Sequence, residues 1–227
     1  MNRPYVFINV AASADGKIDT VARRGAAISS LRDKERVDAL RASADAILIG
    51  GQTLRHELPK LTVKSEALRE ARIKLGKSPN PIKVGVITRA DIPLKSDFME
   101  AGAARKIIFT TGQTSKKQIA ALQGAGAEVF IHSTRRVNLK RALQTLKKLG
   151  VERLMIEGGG TINFEILRLG LADELTIYLA PKIFGGASAP TLADGLGFSA
   201  QRAVSLRLAN LEQDEDGGVL LKYARKD

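Results

Sequence analysis

Short β-branched and apolar runs alternate with stretches of helical period along nearly the whole chain, which restricts the fold to strands joined by helical crossovers. Residues 5–10, 46–49, 82–87, 106–109, 128–131, 153–156 and 174–180 read as strands. Between them, a capping-type start at Ser30-Leu31-Arg32-Asp33 leads into Val37, Leu40 and Ala44 at helical spacing. Residues 65–75, a segment capped at Ser115 that stops near Gly124-Ala125-Gly126, and the stripe Leu139, Leu143, Leu146 and Leu149 ended by Gly150 are further helices, with a short one over 163–169. A largely parallel central sheet flanked by helices follows. Residues 204–208 and 219–223 bracket Asp216-Gly217-Gly218, which predicts a C-terminal antiparallel hairpin. The longest irregular stretch, 181–200, contains Gly185-Gly186, Pro190 and Gly195, and reads as a functional or contact loop rather than a domain boundary. With no repeat and no low-complexity linker, a single domain over 1–227 is expected.

Composition removes several chemistries. The chain has no cysteine, so disulfides, thiolate zinc sites, iron–sulfur clusters and Cys nucleophiles are excluded, and two histidines, His56 and His132, rule out a His-rich metal site. No metal is expected. Apolar stretches fall short of the roughly 18 residues of a membrane span, and the start lacks a signal-peptide core, so a cytoplasmic protein without a membrane partner is expected. Thirty-six Lys and Arg against 24 Asp and Glu give +12, which favours anionic partners. The basic pairs are scattered and aromatic residues are only 4%, without the aromatic–basic alternation that stacks bases, so phosphorylated small molecules are the stronger reading and nucleic acid the weaker.

Ligands of open parallel sheets bind at the carboxyl ends of strands. Two such ends carry glycine clusters, Gly50-Gly51 and Gly158-Gly159-Gly160, and the second runs into Thr161 at a helix start. Close-approaching amides and a helix N-terminus suit a pyrophosphate, although a tight structural turn would explain the same glycines. Glu157 directly follows an apolar strand, where a carboxylate is partly desolvated and can hold or relay a proton; capping the adjacent turn is its plainer role. Arg41 and Lys64 are phosphate-clamp candidates or ordinary surface charges, and Asp15-Gly16-Lys17 alone is a turn.

Taken together, Asp15-Gly16-Lys17, the Gly50-Gly51-Gln52-Thr53-Leu54 turn with Pro59-Lys60-Leu61-Thr62-Val63, Ile156-Glu157-Gly158-Gly159-Gly160-Thr161-Ile162-Asn163, and Ala180-Pro181-Lys182-Ile183-Phe184-Gly185-Gly186 with Ala189-Pro190-Thr191 and Asp194-Gly195 resemble the riboflavin-pathway reductases. These are the RibD-type reductase domain and its stand-alone relatives, within the dihydrofolate-reductase-like α/β superfamily. The blocks occur in family order over nearly the whole chain. The deaminase fused to bacterial RibD needs thiolate zinc ligands, so the resemblance implies a free-standing reductase.

That resemblance implies NADPH-dependent reduction of a ribosylaminopyrimidine 5′-phosphate to its ribitylamino product by a homodimer, with Ile177, Leu179 and Ile183 as a candidate contact region or, more plainly, part of a core strand. By position it places Gly158, Gly159, Gly160 and Thr161 at the cofactor pyrophosphate, Thr53 and Glu57 at further cofactor contacts, and Thr88 near the adenosine ribose. Ser29, Arg41, Leu61 and Lys64 fall on the substrate side. Glu157 and Lys17 place the ribose chain and assist proton transfer, with Glu57 a third catalytic candidate. The chain departs from the family where Glu57-Leu58 replaces an Asp-Asp or Asp-Asn pair, where Lys64 replaces a frequent Arg, and at the small Ala27. A folate or pterin reductase of the same superfamily and a basic nucleic-acid-binding module are the alternatives.

Overall fold

The computed structural model describes residues 2–226, which form two compact units. The first comprises Asp38–Met155 with the amino-terminal residues through Pro4; the second comprises Tyr5–Val37 and the chain from Ile156 onward. In chain order, the first half runs β1 (Tyr5–Ser13), α1 (Leu31–Ser43), β2 (Ala46–Gly50), α2 (Gly51–His56), α3 (Glu66–Lys74), β3 (Ile82–Val86), α4 (Asp97–Glu100) and β4 (Lys106–Thr111). It continues with α5 (Lys116–Gly124), β5 (Ala127–His132), α6 (Leu139–Lys148), β6 (Arg153–Ile156), α7 (Gly160–Arg168), β7 (Glu174–Ala180), a 3-10 turn η1 (Ala200–Arg202), β8 (Leu206–Gln213) and β9 (Val219–Arg225).

In the first unit the strand order is β5-β4-β3-β2-β6, and the β2–β3, β3–β4 and β4–β5 pairs are parallel. Every residue of β2 is buried, as are all but the first of β3 and β4, because helices cover both faces of a parallel sheet and leave no alternation in the sequence. α6 shows the complementary pattern: Leu139, Ala142, Leu143 and Leu146 recur at helical spacing and are buried. In the second unit the order is β1-β7-β9-β8, with β1–β7 parallel and β7–β9 and β8–β9 antiparallel. The terminal hairpin turns at Gly217, whose φ of 83° suits glycine, and closes through Asp214 N–H to the Gly218 carbonyl at 2.8 Å. The α/β class, the parallel strands and the C-terminal hairpin are those expected.

Sequence caps set most helix starts. Ser30, Ser65, Ser115 and Asn138 each accept a hydrogen bond from a backbone N–H three residues on, at 3.0, 3.4, 3.2 and 3.1 Å. Three local expectations need correction. The segment after Gly50 is a short helix, α2, rather than a turn; it starts on glycine without a side-chain cap and is too short to show a period. α7 begins at Gly160, three residues before the expected start at Asn163, because glycine hides the first turn. β8 runs Leu206–Gln213 rather than 204–208, since its exposed residues after Leu208 carry no hydrophobic alternation. α4 and η1 were not foreseen; both are single-turn elements. Among the described residues no helix is long and apolar enough to cross a membrane, and no cluster of three His, Asp or Glu side chains could hold a metal.

Two cations serve as internal donors. Arg72, 4% exposed, donates to the carbonyls of Ser78, Ala42 and Ala44, closing the end of α1. Lys83, 1% exposed, donates to the carbonyls of Asp97, Phe98 and Ala101 at 3.1, 3.0 and 2.5 Å, closing α4. Burial, and then the nearby Lys106, push the Lys83 ammonium down to about 8 against the pull of Asp97. Its folded value thus lies below its unfolded one, so the unfolded chain binds the extra proton between about pH 8 and 10.5, and stability contributed here rises with pH across that window. Urea unfolding as a function of pH should show this rise in the native chain and lose it in Lys83→Met. At neutral pH that variant should be less stable by about 1–3 kcal/mol, because three carbonyls lose their donor.

Candidate functional site

In the second unit, the turn after β1 is built around Ser13. Its amide donates to the Lys17 carbonyl at 2.8 Å, its hydroxyl donates to Asp15 at 2.5 Å and accepts from Lys17 N–H at 3.0 Å, and Gly16 takes the left-handed conformation such a tight turn needs. The Asp15 carboxylate also accepts the amides of Phe184 and Gly185 at 3.1 and 2.7 Å. The Ser13 hydroxyl is the largest influence holding Asp15 down to about 2, and these two amides add to it, so the residue is a charged staple at any physiological pH. Ala14 N–H to the Lys182 carbonyl, Ile18 N–H to the Pro190 carbonyl and a backbone bridge between Lys17 and Thr191 complete the seam.

The irregular stretch after β7 is fixed along its other side by α7. Asp194 N–H donates to the Gly160 carbonyl at 3.0 Å, and Asn163 Nδ2 donates to the Leu192 carbonyl at 2.9 Å. Asp194 in turn accepts from the amide and hydroxyl of Thr191. A Cβ at Gly160 would lie 2.4 Å from the Thr191 carbonyl oxygen, and one at Gly195 would lie 2.1 Å from the Phe164 ring, so these glycines are required by close approach. The blocks 15–17, 157–163, 184–186 and 190–195 therefore form one contiguous surface.

Along that surface Glu157 is half-buried, Gly158 has φ 89°, and the Gly158–Gly159 peptide bond is cis. Gly159 is the N-cap of α7 and supplies no side chain to the helix start, which begins with the amides of Gly160 and Thr161. Thr161 is exposed on that turn, whereas Asn163 is fully buried and its Oδ1 has no hydrogen-bond partner among the described residues. Lys17 and Ser29 are half-buried on the same unit. Ser29 precedes the Ser30 cap, whose hydroxyl also donates to Asp214 at 3.0 Å.

The remaining candidates lie in the first unit. Thr53 is buried on α2, and its carbonyl accepts the amides of Glu57, the exposed C-cap, and Leu58. α2 packs Leu54 against Gly85 of β3, and Gly51 lies against Ile87, the residue before the half-buried Thr88, so Thr53 and Thr88 share the carboxyl ends of β2 and β3. Arg41 donates to the Thr62 carbonyl at 3.3 Å, and the segment after it is drawn to α1 by Asp38, whose two oxygens accept the amides of Lys64 and Ser65 at 2.7 and 2.8 Å. Arg41, Leu61 and Lys64 are thereby brought together. Lys64 is exposed; Leu61 is fully buried at φ 48°.

A family model, the RibD C-terminal domain, matches residues 4–220. The chain belongs to the RibD C-terminal domain family. It is 42% identical to the 2,5-diamino-6-ribosylamino-4(3H)-pyrimidinone 5′-phosphate reductase of Archaeoglobus fulgidus, a match that covers 86% of this chain and 89% of that protein. It is 38% identical to the enzyme of the same name from Methanothermobacter thermautotrophicus, over 91% of this chain and 90% of that one. Its fold is that of a pyrimidine reductase-like protein from Corynebacterium diphtheriae, with a TM-score of 0.84 at 22% identity, covering 100% of this chain and 93% of that one.

Sequence reasoning missed three organising side chains of this RibD-family chain: Asp38, Asn163 and the carboxylate of Asp194. Asp38 lies in a helix where it reads as surface charge, and the other two stand within quoted blocks without a role. Gly160→Ala should drive its methyl into the Thr191 carbonyl, lower stability by about 1–3 kcal/mol and speed amide exchange at Asp194, both measurable on the purified protein.

Proposed function

We propose that this RibD-family chain is a reductase of riboflavin biosynthesis that uses NADPH to convert a ribosylaminopyrimidine 5′-phosphate to its ribitylamino product, acting as a single reductase domain over 1–227 in the cytoplasm. The substrate class is that of the named relatives from Archaeoglobus and Methanothermobacter. The observation that carries the reading is the glycine turn into α7: its start has no side-chain cap, and close packing at Gly160 keeps side chains out.

Those residues fit a dinucleotide. The Gly160 and Thr161 amides and the positive end of α7 would hold its diphosphate, with Gly158 and Gly159 allowing close approach. Thr53, Glu57 and Thr88 would take the remaining cofactor contacts. Bound NADPH would supply the hydride that reduces C1′ of the opened, imine-like ribose. Arg41 and Lys64 would clamp the substrate phosphate, Lys64 as a point charge, with Leu61 and Ser29 bordering the remainder. Glu157, half-buried after β6, would fix the ribose chain and, with Lys17, manage the accompanying proton; Glu57 is a further acid candidate.

Incubating the protein with NADPH and the ribosylamino substrate should consume cofactor absorbance; inactivity with both the amino and the deaminated substrate would overturn the assignment. Glu157→Gln should lower turnover by about 100-fold while NADPH affinity holds, and unchanged turnover would make this carboxylate structural. Thr161→Asp places an acid where a helix start welcomes one, so the fold should persist while NADPH binding weakens by about tenfold from charge repulsion. A homodimer is also part of the proposal. Ile183 is 72% exposed, and Leu208 and Leu211 project from β8 at 48% and 57%. Sedimentation as a monomer would dispose of it.

A further inference from the structure

At the opposite end of β7 from the glycine-rich surface, the second unit holds a separate cavity of about 250 Å³. Its walls are the end of α7, the first residues of β7, the segment after η1 and the end of β9. β7 spans seven residues, so this cavity lies about 20 Å along the strand from the loop at 181–186.

Four cations, Arg168, Arg202, Arg225 and Lys226, and two carboxylates, Asp173 and Glu174, line it. The carboxylates are already engaged. Asp173 accepts Val6 N–H at 2.7 Å, and Glu174 accepts the Tyr5 hydroxyl and pairs with Lys222, each at 3.0 Å. Arg168 is held by Glu165. The charge left over is positive.

Arg225 is set in place for a ligand. Its Nη1 donates to the Gly170 carbonyl at 2.8 Å. The guanidinium also packs on the bare face of Gly170, where a Cβ would meet Nη1, Nη2 and Cζ at 3.1, 3.3 and 3.4 Å. Gly170 has φ 63°, so glycine is favoured there by conformation as well as by space. One edge of the fork is thus fixed to the backbone while the other N–H groups remain for a second acceptor. Ser205 and Lys226 are tied together by Lys226 N–H to the Ser205 carbonyl, and Arg202 lies just upstream.

We propose that this cavity is a second, non-catalytic binding site for a small phosphorylated metabolite, its phosphate taken by Arg225 with Arg202 and Lys226. A planar fork that is held in advance matches phosphate oxygens in pairs. The volume is below the roughly 300 Å³ at which drug-sized ligand pockets begin, so the occupant is compact, of sugar-phosphate rather than dinucleotide size.

The test is a titration of the isotopically labelled full chain with inorganic phosphate, then with ribose 5-phosphate, following backbone amide shifts by NMR. Saturable shifts at Gly170, Ser205 and Lys226 are expected, with about tenfold weaker binding in Arg225→Gln. Free phosphate and a sugar ester are told apart by which saturates at lower concentration. Equal shifts with chloride at matched ionic strength, shifts confined to residues 158–161, or an Arg225→Gln titration like that of the native chain would each overturn the proposal. If Arg225→Gln fails to fold, Arg202→Ala serves in its place, since Arg202 lines the cavity from an exposed position.

Discussion

The Asp15 carboxylate is the constraint on which the glycine-rich surface depends. It sits at the end of a buried strand, is fixed by the Ser13 hydroxyl, and receives two amides from a loop nearly 170 positions away in sequence. Amide-to-carboxylate hydrogen bonds are stronger than neutral ones, and here they favour the ionised form, so the staple does not loosen near neutral pH. Its counterpart across the loop is the first turn of α7, where Gly160, Asn163 and Asp194 leave no space for alternatives. With both sides fixed, a long irregular stretch that would otherwise be mobile becomes a wall beside Glu157 and the helix start.

α1, α3, α5 and α6 are each closed by a serine or asparagine side chain, whereas α4, which follows Ser96, and α2 and α7, which leave strands through glycine, have no side-chain cap. A side-chain cap satisfies one of the free amides internally; a glycine start leaves the amides and the helix dipole for something else. The +12 charge has a related internal use. Lys83, Arg72, Arg41 and Arg69 spend donors on backbone carbonyls, closing helix ends and holding the segment before α3, so the excess of basic residues is not simply a solvated coat.

Much of this was legible in the chain alone because it rests on short-range physics. The alternation of apolar runs gave the strands, hydroxyl caps at Ser30 and Ser115 marked two helices, and the Asp216-Gly217-Gly218 bend marked the hairpin. Glycine was the place where local reading failed. At Gly51 and Gly160 it conceals the first turn of a helix, because its poor helix propensity is overruled by packing: Gly51 against Ile87, and Gly160 against Thr191 and Asp194.

The candidate site divides the same way. The sequence alone determined the family and marked the candidates: Glu157 after a strand, the triple glycine, Arg41 and Lys64. Tertiary structure alone decided what each one faces. It buried Leu61, turned Asp15 from a turn residue into a staple, and gave Asp38 the task of holding the amides of Lys64 and Ser65. The reason is range: a cap or a turn is settled within four residues, whereas a carboxylate's partner is whatever the completed fold brings to it.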